Sequence, residues 1–177
     1  GAQMTDHLLR RDDIPELPAQ HTQHQFNDNA IRASQNLTQP TGMQRIGIHL
    51  VRIAKGRDST THHFHDADEE FLYILSGRGI AKIGDEEFEI GAGDFMGFPA
   101  PSPAHSMHNP YEEDLVYLMG GERWPVDIVH YPDLRRSMLK SHGRRAWMDD
   151  KAITELRSKV QFESRRHHGI NFEMSRS

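Results

Sequence analysis

From Met43 to Pro132 short apolar runs stand between glycine-rich turns. They recur at roughly 8–12-residue spacing, which predicts an all-β sandwich or barrel. Ile46, Ile48 and Leu50 alternate with Gly47, His49 and Val51, the period of a strand, in which neighbouring side chains face opposite ways. Phe71–Leu75 is a compact strand of aromatic and branched residues. Ser76–Gly79 is a turn, and Gly79–Ile83 and Glu87–Ile90 are two strands joined at Gly84-Asp85-Glu86. A turn at Gly91–Asp94 precedes Phe95–Phe98, and Leu115–Met119 and Val126–His130 complete the strand set. Outside this stretch the pattern changes. Residues 1–40 are rich in charge and amides and read as an arm packing on a partner subunit, with Ala30–Ala33 its one apolar patch. Residues 133–177 read as an extension. Within it the spacing of Ile153, Leu156 and Val160 predicts a short amphipathic helix over 151–162, followed by a frayed tail from Arg165.

Composition narrows the function. The chain has 177 residues, 36% apolar and 27% charged, with a net charge of −5, which suits one domain with extensions. The charge gives no general reason to bind a phosphate backbone, so nucleic acid is not expected as a partner. There is no cysteine, which excludes disulfides, thiolate zinc sites and cysteine nucleophiles. No apolar run approaches the roughly 18 residues of a membrane span, and the polar first thirty residues, with Pro15 and Pro18, carry no secretion-signal core. A cytoplasmic protein is the expectation. The anomaly is the 13 histidines.

The densest cluster is His62-His63-Phe64-His65, followed by an acidic turn ending in Glu69-Glu70. On a strand His63 and His65 share one face, while His62 and Phe64 take the other. Glu70 opens the next strand, and His105 follows the proline-rich turn Pro99–Pro103. Together these residues offer three nitrogens and one oxygen, a set for one divalent ion such as Mn, Fe, Ni or Zn. Glu69 is the alternative carboxylate, since strand register decides between neighbours. The competing reading is a histidine-rich surface loop beside a solvated acidic turn. His49, Arg52 and Tyr73 are candidate pocket groups, although Tyr73, three residues from Glu70, falls on the opposite strand face. His108 shares no face with His105 and reads as a surface residue, as do His167 and His168 in the basic tail. Met96, Met107 and Met119 read as core filler.

At these residues the chain resembles the cupin superfamily. Its first motif appears as Gly56, six residues, His63-Phe64-His65, four residues, Glu70, six residues, Gly77. The second appears as Gly93, five residues, Pro99-Ala100-Pro101, three residues, His105, three residues, Asn109. Two departures stand in the second motif: Pro101 takes the place of a glycine, and the spacer before His105 is one residue longer. The first spacer of the first motif is also longer by one. The stretch from Gln44 to Pro132 is similar to small bacterial single-domain cupins. The resemblance implies a double-stranded β-helix, a jelly-roll-like barrel over 41–132, with a metal at its open end and a homodimer as the assembly. It does not fix an activity, because one scaffold hosts unrelated functions. A metal-dependent enzyme of the dioxygenase, isomerase, decarboxylase or lyase type, a module binding a sugar or organic acid without turnover, and a structural dimer stabilised by its metal are the three readings. No catalytic residue is singled out.

Overall fold

The computed structural model describes residues 7–156. Thirteen strands carry the chain. They are β1 (Ala19–His24), β2 (Asn27–Asn36), β3 (Ile46–Ile53), β4 (Phe64–His65), β5 (Glu70–Ser76), β6 (Arg78–Ile83), β7 (Glu86–Gly91), β8 (Phe95–Phe98), β9 (His105–His108), β10 (Leu115–Glu122), β11 (Val126–Tyr131), β12 (Arg136–Ser141) and β13 (Arg144–Asp149). One sheet has the order β1-β2-β3-β10-β5-β8, a second β13-β12-β11-β4 and a third β7-β6-β9. Every paired ladder is antiparallel. The second and third sheets join where His63 and His105 exchange backbone hydrogen bonds of 3.2 and 2.9 Å. The non-sequential order β3-β10-β5 is the crossing expected of the double-stranded β-helix.

The core lies between the sheets. Val51, Ile53, Ile74, Leu115 and Tyr117 are fully buried, and they meet Ala81, Ile90 and Met107 from the facing strands. Met96 and Met107 are core residues, as expected. In β3 the inward phase is Gly47, His49, Val51 and Ile53, so Ile46, Ile48 and Leu50 take the outer face and Ile46 is exposed.

The two flanks differ from their expected form. Residues of the arm form β1 and β2, and β2 pairs with β3 of its own chain through Ala33–Asn36. The arm therefore widens its own sheet. Its strand β1 is almost wholly exposed and shows no apolar alternation that would betray it. Residues 136–149, assigned to the extension, form a hairpin that continues β11 outward. Its two-residue turn holds His142 at φ 48° and Gly143 at φ 83°, the double positive φ of a turn that follows strand twist. In place of the first part of the predicted helix stands one short 3₁₀ turn, Asp150–Ala152, capped by the Asp149 side chain, and then extended backbone at Ile153. The rest of that segment and the tail lie outside the described residues.

The hairpins meet over one end of the barrel. His24 and Phe26, at the β1–β2 turn, pack against Trp147 with ring centroids 5.8 and 4.8 Å away. Tyr131 joins them. Trp147 Nε1 donates to Gln25 Oε1 at 2.8 Å, and the Arg136 guanidinium lies 4.3 Å from the Phe26 ring centroid.

Candidate functional site

The four residues singled out for a metal come together. Strand β5 starts at Glu70, β4 ends at His65, β9 starts at His105, and His63 bridges β9. Glu70 Oε1 lies 3.1 Å from His65 Nε2, and Glu70 Oε2 lies 3.0 Å from His105 Nε2 and 3.6 Å from His63 Nε2. Register decides between the glutamates. Glu70 opposes Gly121 and Phe98 within the sheet, whereas Glu69 is exposed and its amide donates to the Glu122 carboxylate.

Each imidazole is tied at its other nitrogen. His63 Nδ1 donates to the Thr61 carbonyl at 2.9 Å, His105 Nδ1 to the Pro103 carbonyl at 3.3 Å, and His65 Nδ1 to Asp127 Oδ2 at 2.6 Å. A carbonyl or carboxylate only accepts, so all three Nδ1 atoms carry the proton. In the neutral rings the three Nε2 lone pairs then face a carboxylate that also offers lone pairs. Such a set repels itself unless positive charge sits among it, as protons or as a cation. Ring packing fixes the geometry: Phe98 stacks on His105 with centroids 3.6 Å apart and planes 6° apart, and Tyr131 stacks on His63.

The electrostatics follow from this crowding. Burial pushes His63 down. Burial also opposes charge on His65, yet the Glu70 and Asp127 carboxylates on its two nitrogens hold it up to about 9. Glu70 is held well below the usual carboxylate range, against burial, by the hydrogen bonds of His105, His63 and His65.

Asp127 was not anticipated. It is fully buried as a side chain on the inward phase of β11 with Val129 and Tyr131. It also accepts from the Ala67 amide at 2.9 Å. Burial works against its charge, and the His65 and Ala67 hydrogen bonds with Lys140 nearby hold it down. A charged residue on the buried phase of an otherwise apolar strand was the available signal. Asp68, Asp127 and His65 form a second close acidic group. The Lys140 ammonium binds Asp68 and stands 3.9 Å from Asp127, so a built-in cation already neutralises it.

Above these residues opens a cavity of about 410 Å³, whose lining includes His49, Tyr117, Met119, Arg32 and Arg123 from the six-stranded sheet. Gln23, His24, Arg145 and Trp147 of the two flanking hairpins make its mouth. Of the three candidate pocket groups, only His49 reaches it. Arg52 points outward and pairs with Asp114 at 3.3 Å, and Tyr73 is exposed on the outer face. His108 is engaged with Asp58 at 2.7 Å. His62 turns away, to Ser106 and the Gly84 carbonyl.

The cupin domain family matches residues 49–121. A proposed sugar phosphate isomerase of Acidithiobacillus ferrooxidans superposes with TM-score 0.82 at 35% identity, over 85% of this chain and 97% of that one. A sugar phosphate isomerase of Silicibacter pomeroyi, described as belonging to a cupin superfamily, superposes with TM-score 0.68 at 24% identity, over 77% of this chain and 88% of that one. The chain belongs to the cupin superfamily. An uncharacterized protein of Methanocaldococcus jannaschii is 40% identical over 50 residues, 28% of this chain and 39% of that protein. The match thus spans well under half of that relative's length. For this cupin no helix among the described residues is long and apolar enough to cross a membrane.

Proposed function

We propose that this cupin is a metal-dependent enzyme acting on a small polar molecule, with one divalent ion (Mn, Fe, Ni or Zn) held by His63, His65, Glu70 and His105. The observation that carries the reading is the orientation of the imidazoles: three Nδ1 atoms donate to fixed acceptors, and three Nε2 atoms aim at one buried carboxylate. Acceptors behind ligating histidines fix the tautomer and raise basicity. A divalent ion in that place supplies polarisation of a carbonyl or hydroxyl oxygen.

The reaction class we favour is isomerisation of a sugar phosphate, supported by the name of the 35% identical relative. Interconverting an aldose and a ketose moves one proton from C2 to C1 and a second from the C2 hydroxyl to the C1 oxygen, and needs a neutral base beside a proton donor. His49 suits that task. Burial, with Arg123 and Arg32 nearby, holds its pKa down, so it is uncharged near neutrality, and its buried Nδ1 has no hydrogen-bond partner. Tyr117 complements it. Burial pushes the phenol up to about 12, so it stays protonated and donates. We further propose a homodimer. The exposed Phe95, Tyr73 and Ile46, beside an outer depression that Phe71 also lines, support it.

Elemental analysis beside an assay of aldose–ketose interconversion on a panel of sugar phosphates tests the reading, with each ion loaded in turn. Metal in the wild type, none in the folded His63→Ala/His105→Ala variant, and turnover with at least one ion are expected. A fully metal-loaded protein that is inert on every substrate, yet melts higher with a sugar or acid, would instead be a binding module.

A further inference from the structure

One wall of the cavity carries positive charge that the histidine floor does not use. Arg32 sits on the inward phase of β2, between buried Ala30 and Ser34. Its Nη1 donates to the Ser59 carbonyl at 3.3 Å and lies 3.8 Å from Met119 Sδ. Arg123 follows the end of β10, and its guanidinium lies against Gly47, where an added Cβ would come 2.5 Å from Nε. Met119 faces His49 across the ladder, and Gly121 faces Gly47. Arg123 therefore sits at the Gly47–Gly121 level of the ladder, and the Arg32 head reaches the His49–Met119 level. Gly47 and His49 are two residues apart on one face, roughly 7 Å along the strand. Among the described residues neither guanidinium has a carboxylate within 4.0 Å; the acids bridged there belong to other cations. Lys140, on the far side, is satisfied by Asp68.

Bringing a cation into a partly buried site without an anion is costly. An oxyanion on the wall offsets that cost. A carboxylate, with two oxygens, is matched by a single guanidinium fork. Two forks converging on one wall suit the three terminal oxygens of a phosphate monoester.

We propose that Arg32 and Arg123 form a phosphate seat, and that the substrate is a small phosphate monoester held there while its other end reaches Glu70 and the three histidines. The sugar part of this assignment rests on the proposed function; the seat rests on the two arginines.

Calorimetric titration separates the two. Wild type, Arg32→Gln, Arg123→Gln, Gly47→Ala and Arg52→Gln are each titrated with a hexose 6-phosphate, the same hexose without phosphate, and the matching hexonate. Each titration is run on chelator-stripped and on metal-loaded protein, with melting curves to verify folding. The phosphate ester should bind the wild type most tightly, with or without metal, and inorganic phosphate should displace it. Each of Arg32→Gln and Arg123→Gln should weaken it about 10- to 100-fold while leaving metal content and free-hexose binding unchanged. Gly47→Ala, which displaces the Arg123 head without removing its charge, should lose part of the preference. Arg52→Gln should lose none. Equal affinity for ester and free hexose, a preference for the hexonate, or a preference untouched by both arginine substitutions would overturn the seat. Metal-free protein that still prefers the ester, but takes up no ion, would overturn the metal reading and leave the seat standing.

Discussion

The floor and the mouth of the cavity are built by different means. The floor draws its residues from the central strands and from the turns that open them. Its histidines are held by backbone carbonyls and a buried carboxylate, and Phe98 and Tyr131 pack on its rings. The mouth comes from the two flanking hairpins, which touch through His24, Phe26, Tyr131 and Trp147. Floor groups are fixed to within hydrogen-bond tolerance, as a metal requires. Mouth groups such as Gln23 and Arg145 are largely exposed and are held by one aromatic cluster. The contrast teaches that chemistry and access are separable here, so substitutions in the two regions should fail in different observables.

The largest separation comes from the floor itself. His63→Ala/His105→Ala should abolish metal uptake while the barrel still melts cooperatively, since the core of Val51, Ile53, Ile74 and Leu115 does not include either ring; elemental analysis and a melting curve check both halves. Next is Asp127→Asn. It keeps the shape but weakens the acceptor behind His65 Nδ1, and metal affinity should fall about 10- to 100-fold in a chelator competition assay.

pH should act on the floor through His65 and Glu70. In the metal-free protein His65 holds its proton up to about 9 against an ordinary 6.5, so an incoming ion must displace it. Metal affinity should therefore rise about tenfold per pH unit between roughly 7 and 9 and then level off. The sign for stability is opposite. A raised histidine pKa stabilises the metal-free fold fully below about 6.5, and that contribution is lost as pH rises through about 9. Glu70, held below its ordinary 4.5, adds stability that is lost on strong acidification. Melting temperatures with and without chelator across this range would show both trends.

The mouth should give a smaller and different effect. Trp147→Ala removes the ring on which the hairpins meet, at about 2 kcal/mol, a reduced value because the ring is only half-buried. Denaturant unfolding measures the loss; substrate binding should weaken while metal content stays constant. If Trp147→Ala stripped the metal, the separation of floor from mouth would be broken.

Much of the barrel was legible because its strands alternate or cluster apolar residues between turns. Phe71–Leu75, Phe95–Phe98 and Val126–His130 announce themselves in this way and appear at those places. β1 was not legible, because its Ala-Gln-His-Thr-Gln-His run is exposed and no pattern of burial marks it. β12 and β13 were hidden for a related reason: each buries little, so tertiary contact rather than alternation makes them strands. The short helix illustrates the converse. Ile153 and Leu156 have helical spacing, but both are exposed, and spacing without a surface to pack against does not make a helix.

The sequence by itself carried the all-β pattern and the cupin motifs, and it singled out His63, His65, His105 and one of two neighbouring glutamates, Glu69 and Glu70, as the candidate cluster. Local periodicity sets which side chains share a face, and spacing sets how many residues separate the turns. Only the tertiary structure decided that Glu70 rather than Glu69 faces the histidines, that Asp127 stands behind His65, and that Arg32 and Arg123 come near His49. Those are pairings between strands far apart in sequence. They depend on cross-strand register, where a slip of one residue turns every side chain to the other face, and no local pattern encodes it.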